Sequence, residues 1–372
     1  MKLIDILKDL PVLETNADLN ADITDVCYDS RQAGEGCLFV AIAGAETDGH
    51  KYIPMARERG AACVVCQHAP DAAIPYVVVE DSRRALVVIA CNWFDHPSRE
   101  LTMIGVTGTS GKTTSTYLIK SILEQKAGAK VGLIGTIQNM IGSEVLHTER
   151  TTPESFELQK LLRQMSDAGC THVVMEVSSH ALVLDRVYGI RFAVGIFTNL
   201  SQDHLDFHHT MEAYCDAKAI LFDRCDVGVY NADDPWHTRL LQNAKCPRLF
   251  SYGIHAAGAD LKAKSVQLHP GSVAFDAEAE KACREVCAAA ARLDIPLEYN
   301  MAGLTLQRRP DGSLGYTRDE FWRIAAEYPV RAIVGCDAHA PSELDVVPLI
   351  EEKKVFLQGL GIPVMDTLPG LE

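Results

Sequence analysis

A chain of 372 residues with 47% hydrophobic and 23% charged residues has the balance of a folded globular protein and is too long for one small domain. Its formal net charge of −15 excludes a general binder of nucleic acid or anionic membrane, which needs a basic surface, but leaves room for a local phosphate site built from backbone N–H groups and one lysine. No apolar run reaches the roughly 18 residues of a membrane span, and the 12 cysteines are scattered without disulfide-framework spacing, as expected of free thiols in a reducing cytoplasm.

In chain order, MKLIDILKDL carries Asp5, Lys8 and Asp9 and predicts a short amphipathic helix, not a signal peptide. Up to about residue 97, short apolar runs at 37–42, 62–66 and 75–79 predict strands, and 52–60 and 82–94 predict helices. Cys63 and Cys66 form a C-x-x-C that reads either as a redox or zinc pair or as two small buried residues on a strand. HPSRE at 96–100 reads as a linker. A second unit starts with an apolar strand at 101–106, a glycine loop and a helix from Thr113. Further strands are predicted at 131–135, 172–177, 193–200 and 227–231, with helices at 154–168 and 210–222, so a largely parallel sheet covered on both faces is expected. From about 277 the chain changes character: an alanine-rich helix, PLEYN, a helix at 318–327, RAIVGCDAHAP and one last helix.

The strongest chemical signal is Thr107-Gly108-Thr109-Ser110-Gly111-Lys112-Thr113-Thr114. Glycines at 108 and 111 let several N–H groups turn toward one anion, and the helix that follows adds the positive end of its dipole. Lys112 supplies a mobile charge for β- and γ-phosphates and the Thr113 hydroxyl a ligand for Mg2+. The strict pattern would need glycine where Val106 stands, so the loop is a variant, and kinase, GTPase, motor and ligase readings all stay open. Glu176 ends a predicted strand just before Ser178, where a Mg2+ ligand is expected. Asp203-His204-Leu205-Asp206-Phe207-His208-His209 follows another strand and reads as a second metal or phosphate shell, or as a solvated loop. Asn231-Ala232-Asp233-Asp234-Pro235 suits a nucleotide base or ribose and suits a plain turn equally.

Taken in order, TGTSGKTT, TTPES, MEVSSHAL, FTNLSQDHLDFH, AKAILF and YNADDP resemble the Mur ligases of peptidoglycan synthesis, most closely the MurE-type branch that adds the third amino acid to UDP-N-acetylmuramoyl-L-alanyl-D-glutamate. YDSRQAGEGCLFVAIAGAETDGHKYI resembles that branch's uridine-nucleotide domain. The resemblance implies an α/β chain with a UDP-substrate domain over 1–97 and an ATP-binding domain over 98–277, carrying out ATP-dependent amide ligation through an acyl phosphate, in the cytoplasm. It implies that Gly108, Thr109, Ser110, Gly111, Lys112, Thr113 and Thr114 hold ATP, and that Asn231 with Asp233 or Asp234 borders its adenosine. Thr113 and Glu176 would hold Mg2+, with His204 supporting a second metal. Lys218 matches a lysine that the family carbamylates, a further anionic metal ligand. Lys112, Glu176, His204 and Lys218 form the implied catalytic set. Thr151, Thr152, Ser178 and Arg186 would hold the UDP-sugar-peptide, and Ser30 the uracil. The partners implied are small molecules: ATP, the UDP-muramoyl dipeptide and an amino acid.

Two departures are visible. Leu184 stands where some relatives carry a substrate-contacting glutamine, and the Asp-Asn-Pro-Arg type motif of the family's amino-acid domain does not occur. Over 278–372, PLEYN, YTRDEFWRIAAEY and VGCDAHAPSEL resemble instead the end of a histidinol-phosphatase of the polymerase-and-histidinol-phosphatase (PHP) family, a partial (β/α) barrel. That likeness implies Asp337 and His339 as vestigial metal ligands and a fused reading frame, and the missing amino-acid domain implies weak or absent ligation. A non-catalytic ATP and UDP-sugar binder, a metal-dependent phosphomonoesterase and a folylpolyglutamate synthase are the rival readings.

Overall fold

The computed structural model describes residues 1–44, 47–269, 272–278, 287–288, 291, 297–300, 322–323, 325–335 and 350–365. The chain divides into two compact units, Met1–Phe250 and Ser251–Glu372.

The first unit opens with a small sheet of β1 (Glu14–Thr15), β2 (Val26–Cys27), β3 (Leu38–Val40), β4 (Cys63–Cys66) and β5 (Tyr76–Val78), in the order β1-β5-β4-β3-β2. All neighbours are parallel except β1 with β5. Alternate side chains point to opposite faces of a strand, and here both faces are buried. Leu38, Val40, Cys63, Val65 and Val77 meet α1 (Leu3–Ile6) and α3 (Ser82–Trp93). Phe39, Val64, Cys66 and Val78 meet α2 (Ile53–Glu58) on the other face. That alternation settles the C-x-x-C. Three residues apart on one strand, Cys63 and Cys66 point opposite ways, and burial pushes their thiols up to about 12 and about 11. The redox or zinc reading therefore fails, and the two are packing residues. HPSRE is not a plain linker either: Pro97–Arg99 forms one turn of 3-10 helix, because the fixed φ of proline suits a first helical position.

The larger sheet of this unit contains β6 (Thr102–Thr107), β7 (Val131–Ile134), β8 (Asn139–Ile141), β9 (Glu144–Leu146), β10 (His172–Glu176), β11 (Phe192–Phe197) and β12 (Cys225–Asn231), in the order β12-β11-β6-β10-β7-β8-β9. It is parallel from β12 to β7 and antiparallel through β8 and β9, a hairpin edge that periodicity had not indicated. The helices are α4 (Lys112–Ala127), α5 (Ser155–Asp167), α6 (Ser179–Val183), α7 (Leu205–His208), α8 (Met211–Asp223) and α9 (His237–Asn243). The register pairs Glu176 with Val106, Phe197 with Thr107 and Tyr230 with Phe197. The C-terminal ends of four adjacent strands thus share one edge, the place where open α/β sheets bind ligands. The small sheet is fastened to this body through α3: Arg84 Nε donates to Asp185 Oδ2 at 2.9 Å, and Arg224 Nη2 to Asp185 Oδ1 at 2.9 Å. The two guanidiniums lie 5.4 and 5.3 Å from the Tyr188 ring.

In the second unit, the antiparallel strands Leu261–His269 and Ser272–Glu278 pair with each other, and Tyr252–Gly253 pair in parallel with Leu261–Lys262. Leu297–Asn300, Ala332–Gly335 and Val364–Met365 form a parallel sheet, with the helix Ile350–Gly359 and a core that includes Trp322, Ala325, Val330 and Leu357. Asp337, His339 and most of the alanine-rich segment lie outside the described residues.

Candidate functional site

The glycine loop leaves β6 at Thr107 and enters α4 at Lys112. Gly108 has φ 149° and Gly111 φ 82°, both in the region that side chains rarely adopt. A Cβ on Gly108 would stand 1.9 Å from Thr198 Oγ1, so the close approach of the β11 end requires glycine there. That end clamps the loop: Thr109 N donates to Asn199 O and Ser110 N to Asn199 Oδ1, both at 2.9 Å. Thr198 Oγ1 donates to Ser110 O at 2.7 Å, and Asn199 Nδ2 to the same oxygen at 3.1 Å. The N–H groups at the start of α4 have no acceptor within the helix, as at any helix N-terminus.

Two ammonium groups converge on the loop. Lys112 Nζ donates to Gly108 O and Thr109 O at 2.9 Å each. Lys218, buried on α8, donates to the same Gly108 O at 3.0 Å and lies 4.3 Å from the centre of the Tyr214 ring. Burial, reinforced by the charge of Lys112, pulls Lys218 down to about 7, and burial lowers Lys112 as well.

Glu176, buried at the end of β10, accepts from Thr113 Oγ1 at 3.0 Å and Thr136 N at 2.9 Å on Oε1, and from Thr136 Oγ1 at 3.0 Å on Oε2. A carboxylate and a hydroxyl side by side at the mouth of an anion loop are hard oxygen donors of the kind Mg2+ prefers. No three His, Cys, Asp or Glu side chains converge for a metal among the described residues.

His204 has φ 52°, and its Nε2 is 3.5 Å from Asp203 Oδ2. Its ring lies 4.9 Å from His180 and 6.1 Å from Tyr214, so His204 and Lys218 flank one tyrosine. His208 Nε2 shares a 2.9 Å hydrogen bond with Ser179 Oγ, and burial, with the neighbouring His180, pulls it down to about 4. Asn231 Nδ2 donates to Thr198 O at 3.0 Å, and its Oδ1 accepts from Asp233 N at 3.0 Å. Both Asp234 oxygens are taken by main-chain N–H groups, of Leu200 at 2.8 Å and Trp236 at 2.9 Å.

A cavity of about 700 Å3 is lined by Tyr28 and Arg31 of the small-sheet region and by Asn139, His147, Arg150, Glu154 and Glu157 of the larger one, among others. A second, of about 430 Å3, shares Tyr28, Asp29 and Arg31 with it and contains Ser30, whose Oγ donates to Met55 Sδ at 3.4 Å. Thr151 Oγ1 bonds Thr136 Oγ1 at 3.0 Å. Thr152 Oγ1 donates to Glu176 O at 2.8 Å and accepts from Ser178 N at 3.1 Å, and Ser178 caps α6. Arg186 Nε is 3.2 Å from Glu154 Oε2, and Arg186 Nη1 donates to Thr152 O at 3.3 Å. Arg83 and Arg150 approach Glu154 at 3.6 and 3.8 Å, so one carboxylate sits among three guanidiniums. Thr151, Thr152 and Ser178 thus reach Glu176 by direct or one-step hydrogen bonds, whereas Ser30 belongs to the small sheet. Sequence reasoning had missed Thr136, Asn199, Tyr214 and Glu154; the last stands in TTPES and Asn199 in FTNLSQDH, but neither carries a chemical spacing of its own.

Among the described residues no helix is long and apolar enough to cross a membrane. Residues 106–295 match the family model of the Mur ligase middle domain, and residues 22–92 that of the Mur ligase family, catalytic domain. The first match runs past the boundary expected near 277. UDP-N-acetylmuramoyl-L-alanyl-D-glutamate--2,6-diaminopimelate ligase of Clostridium tetani is 45% identical over 307 residues, 81% of this chain and 62% of that protein. The protein of the same name from Clostridium botulinum is 46% identical over 285 residues, 75% of this chain and 57% of its own length. A solved structure of a ligase of that name superposes with a TM-score of 0.65 at 26% identity, covering 76% of this chain and 58% of the other. This chain spans about three fifths of the length of these relatives.

Proposed function

This chain belongs to the Mur ligase family, and on that premise we propose that it serves the ATP-dependent joining of an amino acid to UDP-N-acetylmuramoyl-L-alanyl-D-glutamate. The observation that carries the reading is the join between anion loop and strand end: Thr113, first turn of α4, bonded to Glu176, with Lys112 folded over the same loop. Gly108 to Thr114 hold the phosphates of ATP, and Thr113 and Glu176 hold Mg2+, which when bound neutralises phosphate charge. Asn231 and Asp233 or Asp234 border the adenosine, and Asp234 also fixes the loop that carries Leu200. The cavities by Tyr28, Ser30 and Arg150 take the uridine nucleotide, and Thr151, Thr152, Ser178 and Arg186 hold the peptide end near Glu176.

Phosphoryl transfer to the D-glutamyl carboxylate gives an acyl phosphate, an amine attacks it, and phosphate leaves. That first step needs positioning and charge neutralisation rather than a protein nucleophile. Lys218, held neutral by burial, is fit to react with CO2 and become an anionic ligand, and His204 orients around the same tyrosine. The named relatives use 2,6-diaminopimelate, which makes it the first amine to try. ADP release on mixing the chain with ATP, Mg2+, the UDP-dipeptide and a panel of amino acids tests the activity. Calorimetry with each substrate alone tests the two sites; absence of heat with both ATP-Mg2+ and the UDP-dipeptide sinks the reading. For the C-terminal segment we infer a distant kinship to PHP histidinol-phosphatases from its sequence alone, PLEYN, YTRDEFWRIAAEY and VGCDAHAPSEL, although the Mur middle-domain match runs on to residue 295; Asp337 and His339 alone cannot complete a multinuclear centre, so Mn2+-dependent hydrolysis of histidinol phosphate is expected to be nil.

A further inference from the structure

Cys27 ends β2 and Cys37 stands immediately before β3, its parallel neighbour, with Val26 opposite Leu38 and Cys27 opposite Phe39. Their Sγ atoms are 3.6 Å apart in a buried cluster. Gly34 N–H donates to Cys37 Sγ at 3.4 Å, a contact that steadies a thiolate. The hydrogen bond shared with Cys27 and this N–H together pull the Cys37 thiol down to about 7 despite burial. The remaining cysteines of the small sheet offer nothing similar, since Cys63 and Cys66 face opposite ways. Cys225 and Cys246 are likewise 3.5 Å apart, and there burial pushes Cys225 up as the bond to Cys37 and burial push Cys27 up; what sets the first pair apart is Cys37, with the Gly34 N–H on its sulfur. Directly after Cys27 come Tyr28 and Asp29, which line both cavities, and Ser30, which with Phe39 lines the smaller one. The thiol pair thus stands just behind a cavity wall.

We propose that Cys27 and Cys37 are a redox-modification site, a dithiol that closes to a disulfide under peroxide and thereby reshapes the wall formed by Tyr28, Asp29 and Ser30. The Cys37 thiolate attacks one oxygen of a hydroperoxide and breaks the O–O bond. This leaves a sulfenic acid and a hydroxide that takes up a proton to become water. The Cys27 sulfur then attacks the sulfenic sulfur, the S–O bond breaks, and a second water departs with the Cys27 proton. The two thiols lose two electrons in all, and the peroxide is reduced by two. Closing the bond draws the sulfurs together by about 1.5 Å, since a disulfide spans about 2.05 Å. The strand end bearing Tyr28 moves with Cys27. The effect on ligands rests on the reading of these cavities as the uridine-nucleotide site; formation of the bond does not.

The full chain treated with hydrogen peroxide, alkylated after unfolding and mapped by mass spectrometry is expected to yield a Cys27–Cys37 cross-linked peptide. It should be about 2 Da lighter than the reduced pair and should be lost on dithiothreitol treatment. Both cysteines found fully alkylated, or a bond found only between Cys225 and Cys246, overturns the proposal. Calorimetry with UDP is expected to show roughly tenfold weaker binding after oxidation, within the usual range of coupling between sites, with affinity restored by reduction and unaffected by peroxide in Cys37→Ala. A mapped disulfide with unchanged UDP affinity refutes the coupling. Reduced protein that binds no UDP counts against the proposed function instead, while the peptide map still decides the dithiol.

Discussion

Lys218 is a lysine without water around it, and its proton is the measurable consequence. Its folded value of about 7 lies below the roughly 10.4 of a free lysine. Between those values the unfolded chain holds a proton that the folded chain has shed, so stability climbs as pH rises through that window. Below about pH 7 the folded state carries the full cost of a buried charge. Lys218→Met is expected to flatten this rise, by an amount on the order of a few kcal/mol, in urea unfolding at pH 7 and pH 9.5; equal slopes in both proteins contradict the assignment. Glu176 shows the converse, a buried carboxyl group with three donors on its two oxygens. Glu176→Ala leaves the Thr136 N–H without its acceptor and is expected to cost about 1–3 kcal/mol, read as a lowered midpoint in urea. Glu176→Gln keeps an acceptor and should cost less. Both should abolish the dependence of nucleotide affinity on Mg2+, measured by calorimetry with and without a chelator.

At the scale of elements, the loop between β6 and α4 contains two glycines for two different reasons. Gly111 needs only its dihedral: a Cβ there meets open space, so Gly111→Ala is expected to cost about 1–2 kcal/mol of stability. Gly108 needs its lack of bulk as well, because Thr198 is already committed to Ser110 O and Thr107 O and has nowhere to turn. Gly108→Ala should destabilise more than Gly111→Ala and eliminate ATP binding; the reverse order in denaturation would contradict the packing described. This loop was legible in the sequence because its chemistry is local, with glycines, lysine and threonine inside eight residues between a strand and a helix. Glu176 was legible as the polar end of an apolar strand. Asn199 was not, because it reaches the loop from 89 residues away, and no spacing encodes such a contact. Thr136 is hidden in the same way, 40 residues from Glu176. The strand reading of the C-x-x-C holds, because a period of two separates its members onto opposite faces.

At the scale of the molecule, the division at Phe250 adds a boundary to those expected near 97 and 277. The small sheet is not an independent body: α3 packs on α5, and Arg84, Asp185 and Arg224 tie it to the larger sheet. Composition could not reveal this, because the residues that join the two sheets are ordinary surface charges in sequence. Calorimetric unfolding is expected to show two transitions, with 1–97 and the remainder of the first unit melting together, and ATP with Mg2+ should raise only that transition. Separate melting of the small sheet would show that the Asp185 junction is not a structural tie.

The crowding of Lys112 and Lys218 around a single carbonyl oxygen carries a consequence for the energetics of ligand capture. With Lys218 unmodified by CO2, the loop by itself holds that amine partly uncharged near neutrality, and a polyanion arriving beside it reverses that preference. Capture of ATP should therefore draw a proton from the medium, so the heat of binding at pH 7.5 will vary with the ionisation enthalpy of the buffer, and Lys218→Met will remove most of that variation.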